Sequence, residues 1–191
     1  KNMPGALETI VNDPELKVDA LILPGHVSTI IGMEPYRFLA EKYGIAGVIT
    51  GFEPVDVLQG IAMIMRQLHE GRADIEIAYA RGVMPEGNPV ALAAIDEVFE
   101  TCSATWRGLG EIPGSGYRIR EEFADFDAMR RFQPDVEEVR EHKGCRCGDV
   151  LRGIMAPSEC PLFRKVCTPE NPVGPCMVSS EGSCAAYYRY Y

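Results

Sequence analysis

Six of the seven cysteines fall in the last quarter of the chain, at Cys145, Cys147, Cys160, Cys167, Cys176 and Cys184, and this crowding most constrains what the chain can fold into. A stretch of fewer than about 60 residues rarely builds a sufficient hydrophobic core and usually needs a covalent or metal staple. Pro157, Pro161, Pro169, Pro172 and Pro175 alternate here with Gly144, Gly148, Gly153, Gly174 and Gly182, so the segment reads as turns rather than regular elements. The preceding residues carry one cysteine, Cys102, which reads as a small buried hydrophobe at the end of a helical run.

The front part needs no staple. At 191 residues, 46% hydrophobic and 25% charged, the chain has room for one full domain and a smaller appendage. A net charge of −9 without a basic run disfavours nucleic acid and anionic membrane surfaces. No apolar run approaches the roughly 18 residues that span a bilayer, and no charged-then-apolar leader opens the sequence. The expected location is therefore the cytoplasm. The chain opens at Lys1 without an initiator Met, which suggests a piece of a longer polypeptide.

Along residues 1–133 strands and helices alternate. A short helix over 6–12 precedes VDALILPG (18–25), a near-continuous apolar run of the kind buried on both faces of a parallel sheet. Ser28 or Thr29 caps a helix running to Lys42 and closed by Gly44, and IAGVITG (45–51) repeats the buried-strand pattern. Pro54 then opens the clearest helix, with Val57, Leu58, Ile61, Ile64, Met65 and Leu68 expected on its buried side and Gly71 at its end. DIEIAYA alternates in polarity and reads as a strand near an edge. Asn88 caps a helix to about Glu100, followed by strand-like TWRGLGEIPGSGYRIR and a helix over 121–132. The pattern predicts an α/β, Rossmann-like domain over 1–133, three-layered with a mostly parallel sheet. A polar linker (133–144) leads into a small irregular Cys-rich domain, whose expected extent is 134–191.

Ligands of parallel sheets bind beyond the carboxyl ends of the strands. Pro24-Gly25-His26-Val27-Ser28-Thr29 and Gly51-Phe52-Glu53-Pro54 occupy that position, making His26, Thr29 and Glu53 cleft candidates for proton handling. The same residues also suit plain structural roles: a helix cap, a carboxylate at a helix dipole, a hydrogen-bonded histidine. No nucleotide-binding glycine fingerprint occurs. Trp106 and Arg107 are weaker candidates for an aromatic face and a flat cation.

Three chemistries compete for the cysteines. A disulfide framework would draw in the front domain and follow a secretion signal. Structural zinc is usually announced by paired C-x-x-C hooks, and the only close pair here is Cys145-Arg146-Cys147. An iron–sulfur cluster needs four thiolates in a pocket shielded from water. Six cysteines would then leave two for a thiol–disulfide pair, and spacing alone does not say which two.

The pattern Cys145-x14-Cys160-x6-Cys167-x16-Cys184, set in GCRCGDVLRG, CPLFRKVCTPENPVGPCMVSSEG and CAAYY, resembles the carboxyl-terminal part of HypD-type hydrogenase maturation proteins. PGHVSTIIG, GFEPVDVLQG and WRGLGEIPGSG match in the same order, so the resemblance covers essentially the whole chain. It implies a [4Fe–4S] cluster on Cys145, Cys160, Cys167 and Cys184, with Cys147 and Cys176 as a redox-active pair beside it. It further implies a redox-active scaffold working with the chaperone HypC and the cyanide donor HypE on the Fe(CN)2CO unit of [NiFe]-hydrogenases. Glu181, just ahead of Cys184, joins the candidates on this basis. The family also carries an amino-terminal α/β domain with CGxH and GPGCPVC motifs; neither motif occurs in this sequence, so the family's iron-binding thiol maps to no residue here. The alternative to the resemblance is a structural zinc module without a redox role.

Overall fold

The computed structural model describes residues 1–135 and 142–191. Three strands, β1 (Ala20–Pro24), β2 (Ala46–Thr50) and β3 (Ile75–Ile77), form a parallel sheet in the order β1-β2-β3. Helix α1 (Met3–Val11) precedes β1, α2 (Gly25–Ile31) and α3 (Arg37–Tyr43) connect β1 to β2, and α4 (Pro54–His69) connects β2 to β3. Every residue of the central β2 is buried, as its unbroken apolar run requires. The similar run in β1 lies at an edge instead and leaves Ile22 49% exposed. The short β3 takes the other edge, as its alternating polarity predicts.

Side chains alternate across a sheet, so β2 packs on both of its faces. Leu23, Ile49 and Ile75 pack with Leu7, Val11, Tyr36 and Leu39 from the α1 and α3 side. Val48 and Thr50 meet α4 on the opposite face. There Gly60 is essential: a Cβ on it would lie 2.2 Å from Thr50 Cγ2.

This contact overturns the predicted orientation of α4. The residues it buries are Asp56, Gly60 and Gln67, while Leu58, Ile61, Met65 and Leu68 are exposed. Of the expected inner set, only Val57 and Ile64 are half-buried. The cause is specific bonding on the inner side. Asp56 is held by Arg81, Gly60 fits over Thr50, and Gln67 Oε1 accepts the Asp74 N–H at 2.8 Å.

The region after α5 (Pro89–Val98) also differs from expectation. Asn88 caps α5 as predicted, accepting from the N–H groups of Val90 and Ala91. The chain then turns at Phe99 into β4 (Phe99–Trp106), antiparallel to β5 (Gly110–Ile119), in a two-stranded sheet separate from the first. The strand-like stretch is therefore a hairpin rather than a fourth parallel strand. Gly108 and Gly110, with φ of 82° and 79°, supply the left-handed backbone of its tip. The helix expected over 121–132 is a 3-10 turn (Glu121–Phe126) followed by α6 (Ala128–Phe132). Half of the predicted linker, residues 136–141, lies outside the described residues.

The cysteine-rich segment holds three short helices, α7 (Cys147–Leu151), α8 (Pro175–Val178) and α9 (Ser183–Tyr190), with a 3-10 turn at Pro157–Glu159. Arg152 anchors it to the front domain, pairing with Asp13 while its carbonyl accepts the Lys17 N–H at 3.1 Å. Gly148 packs so closely on the hairpin tip that a Cβ would lie 2.6 Å from the Gly108 carbonyl.

Gly60→Ala is expected to destabilise the chain by about 1–3 kcal/mol through overpacking against Thr50. Adding Thr50→Ser, which removes Cγ2, should recover much of that loss. An unchanged denaturation midpoint for the single variant would contradict the packing.

Candidate functional site

All six cysteines of the tail line one small cavity, together with Phe163 and Met177. Cys147, Cys167, Cys176 and Cys184 are buried in the same cluster as Phe163, Met177 and Ala185, with Cys145 and Cys160 packed against it. The local turns explain the convergence. A Cβ on Gly174 would lie 2.5 Å from Cys145 Sγ, and one on Gly182 would lie 2.2 Å from the Cys176 carbonyl. Glycine at both places lets the irregular chain close on the thiols.

The thiols are electrostatically linked. Cys176 donates its proton toward Cys147 and Cys184, which pushes the Cys176 thiol up and pulls Cys184 down. Burial pushes Cys145 up. The Val173 N–H donates to Cys167 Sγ at 3.4 Å, a bond that suits a sulfur carrying negative charge. Among the described residues no three Cys, His, Asp or Glu side chains converge on a single-ion position. A four-iron cube spreads its thiolates over the corners of a tetrahedron instead of drawing them to one point, and thiols ringing a small apolar cavity suit that arrangement. Burial does not divide the six into four and two: Cys147 and Cys176 are as buried as Cys167 and Cys184.

The carboxyl edge of the parallel sheet forms a second group. Pro24 and Thr50 are register partners, so the two loops after them lie side by side. Gly25 sits against the strand, where a Cβ would be 2.1 Å from the Thr50 carbonyl. The helix there begins at Gly25, ahead of the predicted cap. Ser28 and Thr29 lie within it, their hydroxyls donating to the Pro24 and His26 carbonyls respectively, at 2.7 Å each.

His26 stacks on Phe52, ring centroids 4.5 Å apart, while Glu53 pairs with Arg81 at 3.1 Å. Arg81 also grips Asp56 through both carboxylate oxygens, at 2.7 and 2.6 Å, and lies over the Tyr79 ring. The guanidinium holds the Asp56 carboxyl below the usual carboxylate range, helped by the Glu53 N–H. The site thus contains Phe52, Asp56, Tyr79 and Arg81, which the sequence reading missed. Gly51 was the available signal, since a Cβ there would lie 2.1 Å from Asp56 Oδ2.

The remaining candidates lie elsewhere. Trp106 donates its indole N–H to Ser115 Oγ at 2.7 Å within the hairpin. Arg107 lines a cavity of about 290 Å³ beside Cys145 and Cys147. Glu181 is exposed in the turn before α9 and is not among the residues lining the cysteine cavity. The contacts of Arg152 with Asp13 and Lys17 lie just ahead of β1, at the amino edge of the sheet. The cysteine segment is therefore anchored at the edge opposite the His26 and Glu53 loops, not beside them.

The fold and the grouped thiols define an α/β protein with a cysteine-lined pocket. Comparison with known proteins narrows that class. The family described as HypD, hydrogenase formation hypA family, matches residues 1–191. The chain is 48% identical to hydrogenase maturation factor HypD of Cupriavidus necator over 194 residues, covering 98% of this chain and 51% of that relative. It is 49% identical to hydrogenase expression/formation protein HupD of Azotobacter chroococcum and to hydrogenase maturation factor HypD of Rhodobacter capsulatus, each over 193 residues, with 98% of this chain and 51% of each relative covered. The chain belongs to the HypD family, and it spans about half the length of these curated relatives. Among the described residues no helix is long and apolar enough to cross a membrane.

The Asp56–Arg81 pair gives a pH prediction. Because its folded-state pKa is depressed, Asp56 contributes stability above its unfolded value of about 4 and loses it as pH falls through the folded value. Asp56→Asn should therefore melt well below the parent at pH 7, and the gap should close in acid. A gap independent of pH would rule out the ionised pair as its source.

Proposed function

We propose that the chain works in [NiFe]-hydrogenase maturation, and that its cysteine pocket is the electron-handling centre of the scaffold on which the Fe(CN)2CO unit is assembled. The observation that carries this reading is the convergence of all six tail cysteines on one largely buried cavity. Cys145, Cys160, Cys167 and Cys184 would hold a [4Fe–4S] cluster, which supplies electrons one at a time. Cys147 and Cys176 would form the dithiol. Phe163 and Met177 keep water from the sulfurs, and the Val173 N–H disperses charge on Cys167.

The dithiol suits a two-electron task. Joining Cys147 and Cys176 in one S–S bond releases two electrons and two protons. Cleaving an S–CN bond on a carrier thiol consumes the same number and yields a free thiol and hydrogen cyanide. The HypE-type protein would supply that carrier, and a HypC-type chaperone would hold the iron as cargo. The iron-binding thiol would come from polypeptide outside this sequence. His26, Thr29 and Glu53 would face that cargo across the carboxyl edge, with Arg81 fixing Glu53. A centre that depends on free thiols belongs in the reducing cytoplasm.

Anaerobically purified chain should contain iron and acid-labile sulfide in equal amounts, with a visible absorption that dithionite bleaches. Colourless protein with stoichiometric zinc would overturn the reading. Cys160→Ala or Cys167→Ala should lose the chromophore. Cys147→Ala should keep it and lose only the reducible disulfide. Loss of the cluster in the Cys147 variant would show the six cysteines to be divided differently.

A further inference from the structure

Helix α4 carries its apolar stripe on the outside. Val55, Leu58 and Met65 are 73%, 66% and 60% exposed, and Ile61 and Leu68 are also open to solvent. Leu58, Ile61, Met65 and Leu68 follow one another by three, four and three residues, the spacing of a seam between two packed helices. Between Val55 and Leu68 the only charged outward residue is Arg66. Soluble surfaces seldom leave so continuous a stripe of large aliphatic side chains uncovered.

The helix has no freedom to turn this stripe inward. Its inner side is fixed by the Asp56–Arg81 pair, by the close fit of Gly60 on Thr50, and by the bond from Asp74 N–H to Gln67. Rotation would leave a buried carboxylate without its guanidinium and drive Leu58 or Ile61 into a space shaped for glycine. The stripe is therefore a stable feature of the folded domain.

We infer that the outer face of α4 is a docking seam for an amphipathic helix from the part of the longer HypD polypeptide that this chain does not span. Two observations select that occupant. The curated relatives carry about as much polypeptide again as the matched half, enough for a further domain. The seam is also continuous with the carboxyl-edge site: Phe52, itself 63% exposed, and Glu53 lead directly into Pro54 and Val55. A helix on the seam would bring its own domain against the His26, Glu53 and Arg81 loops and turn an open edge into a cleft. A second copy of this chain would cover the stripe without using the additional polypeptide.

A full-length chimera tests this. Residues 1–191 replace the matched stretch of the Cupriavidus necator relative, and Leu58 is replaced by the photo-cross-linker p-benzoylphenylalanine. Irradiation should join position 58 to a peptide outside residues 1–191 of the same polypeptide, with a yield that does not fall on dilution. Introducing Met65→Glu should abolish that product. In the chain of residues 1–191 alone, Met65→Glu should leave the melting temperature unchanged, since the side chain is exposed there; this separates loss of docking from misfolding. Cross-links to a second copy, or no cross-link at all, would overturn the inference.

Discussion

Six thiols around one cavity make a modest hydrophobic core, and the rest of the cysteine-rich segment depends on that convergence. Its helices are too short to stand alone, and its buried side chains are mostly the cysteines themselves with Phe163, Met177 and Ala185. If the thiols are brought together as thiolates, their mutual repulsion opposes folding until a cation or cluster offsets it. Metal binding and folding would then be one event. The glycines at 174 and 182 reflect this constraint, because each leaves room for a cysteine where a side chain would collide.

The front domain supplies position. Arg152, Asp13 and Lys17 tie the cysteine segment to the amino edge of the sheet, and the hairpin tip at Gly108 presses on the turn that carries Cys147. The carboxyl edge carries a different chemistry, in which Arg81 binds two acidic side chains and His26 rests on Phe52. Strand β1 is five residues long, so at about 3.3 Å per residue the two edges stand on the order of 16 Å apart. In the proposed function the two regions therefore divide the work: electrons are held at one, and the iron cargo is handled at the other. The exposed seam of α4 lies next to the second.

Where local rules governed, the sequence was legible. The buried strand β2, the Asn88 cap, and the left-handed glycines closing α3 and α4 follow from patterns of a few residues. Periodicity located α4 but misread its orientation, because an apolar stripe says only that something covers it. Whether that cover is the sheet or another element was decided by Asp56, Gly60 and Gln67, whose partners are distant in sequence. The same holds for Arg81: no local pattern connects it to Glu53 and Asp56, 28 and 25 residues earlier. The β4–β5 hairpin was missed because the apolar periodicity of α5 was carried on to Glu100, although Phe99 and Thr101 are strand formers and pair with residues of β5. The grouping of the cysteines was visible in the sequence, but their division into ligands and dithiol followed from resemblance, and burial alone does not reproduce it.

The division of the six cysteines into four cluster ligands and a redox pair is tested most directly by mapping which thiols join on oxidation. Cys147 and Cys176 are buried, so the readout is taken after unfolding: anaerobic, cluster-loaded protein would be treated with a mild thiol oxidant, denatured in alkylating reagent, digested and mapped by mass spectrometry. Cys147 and Cys176 should be recovered in one disulfide-linked peptide pair, and Cys145, Cys160, Cys167 and Cys184 as alkylated thiols released from the cluster. A disulfide that includes any of those four, or Cys147 and Cys176 recovered as alkylated thiols after oxidation, would contradict this division.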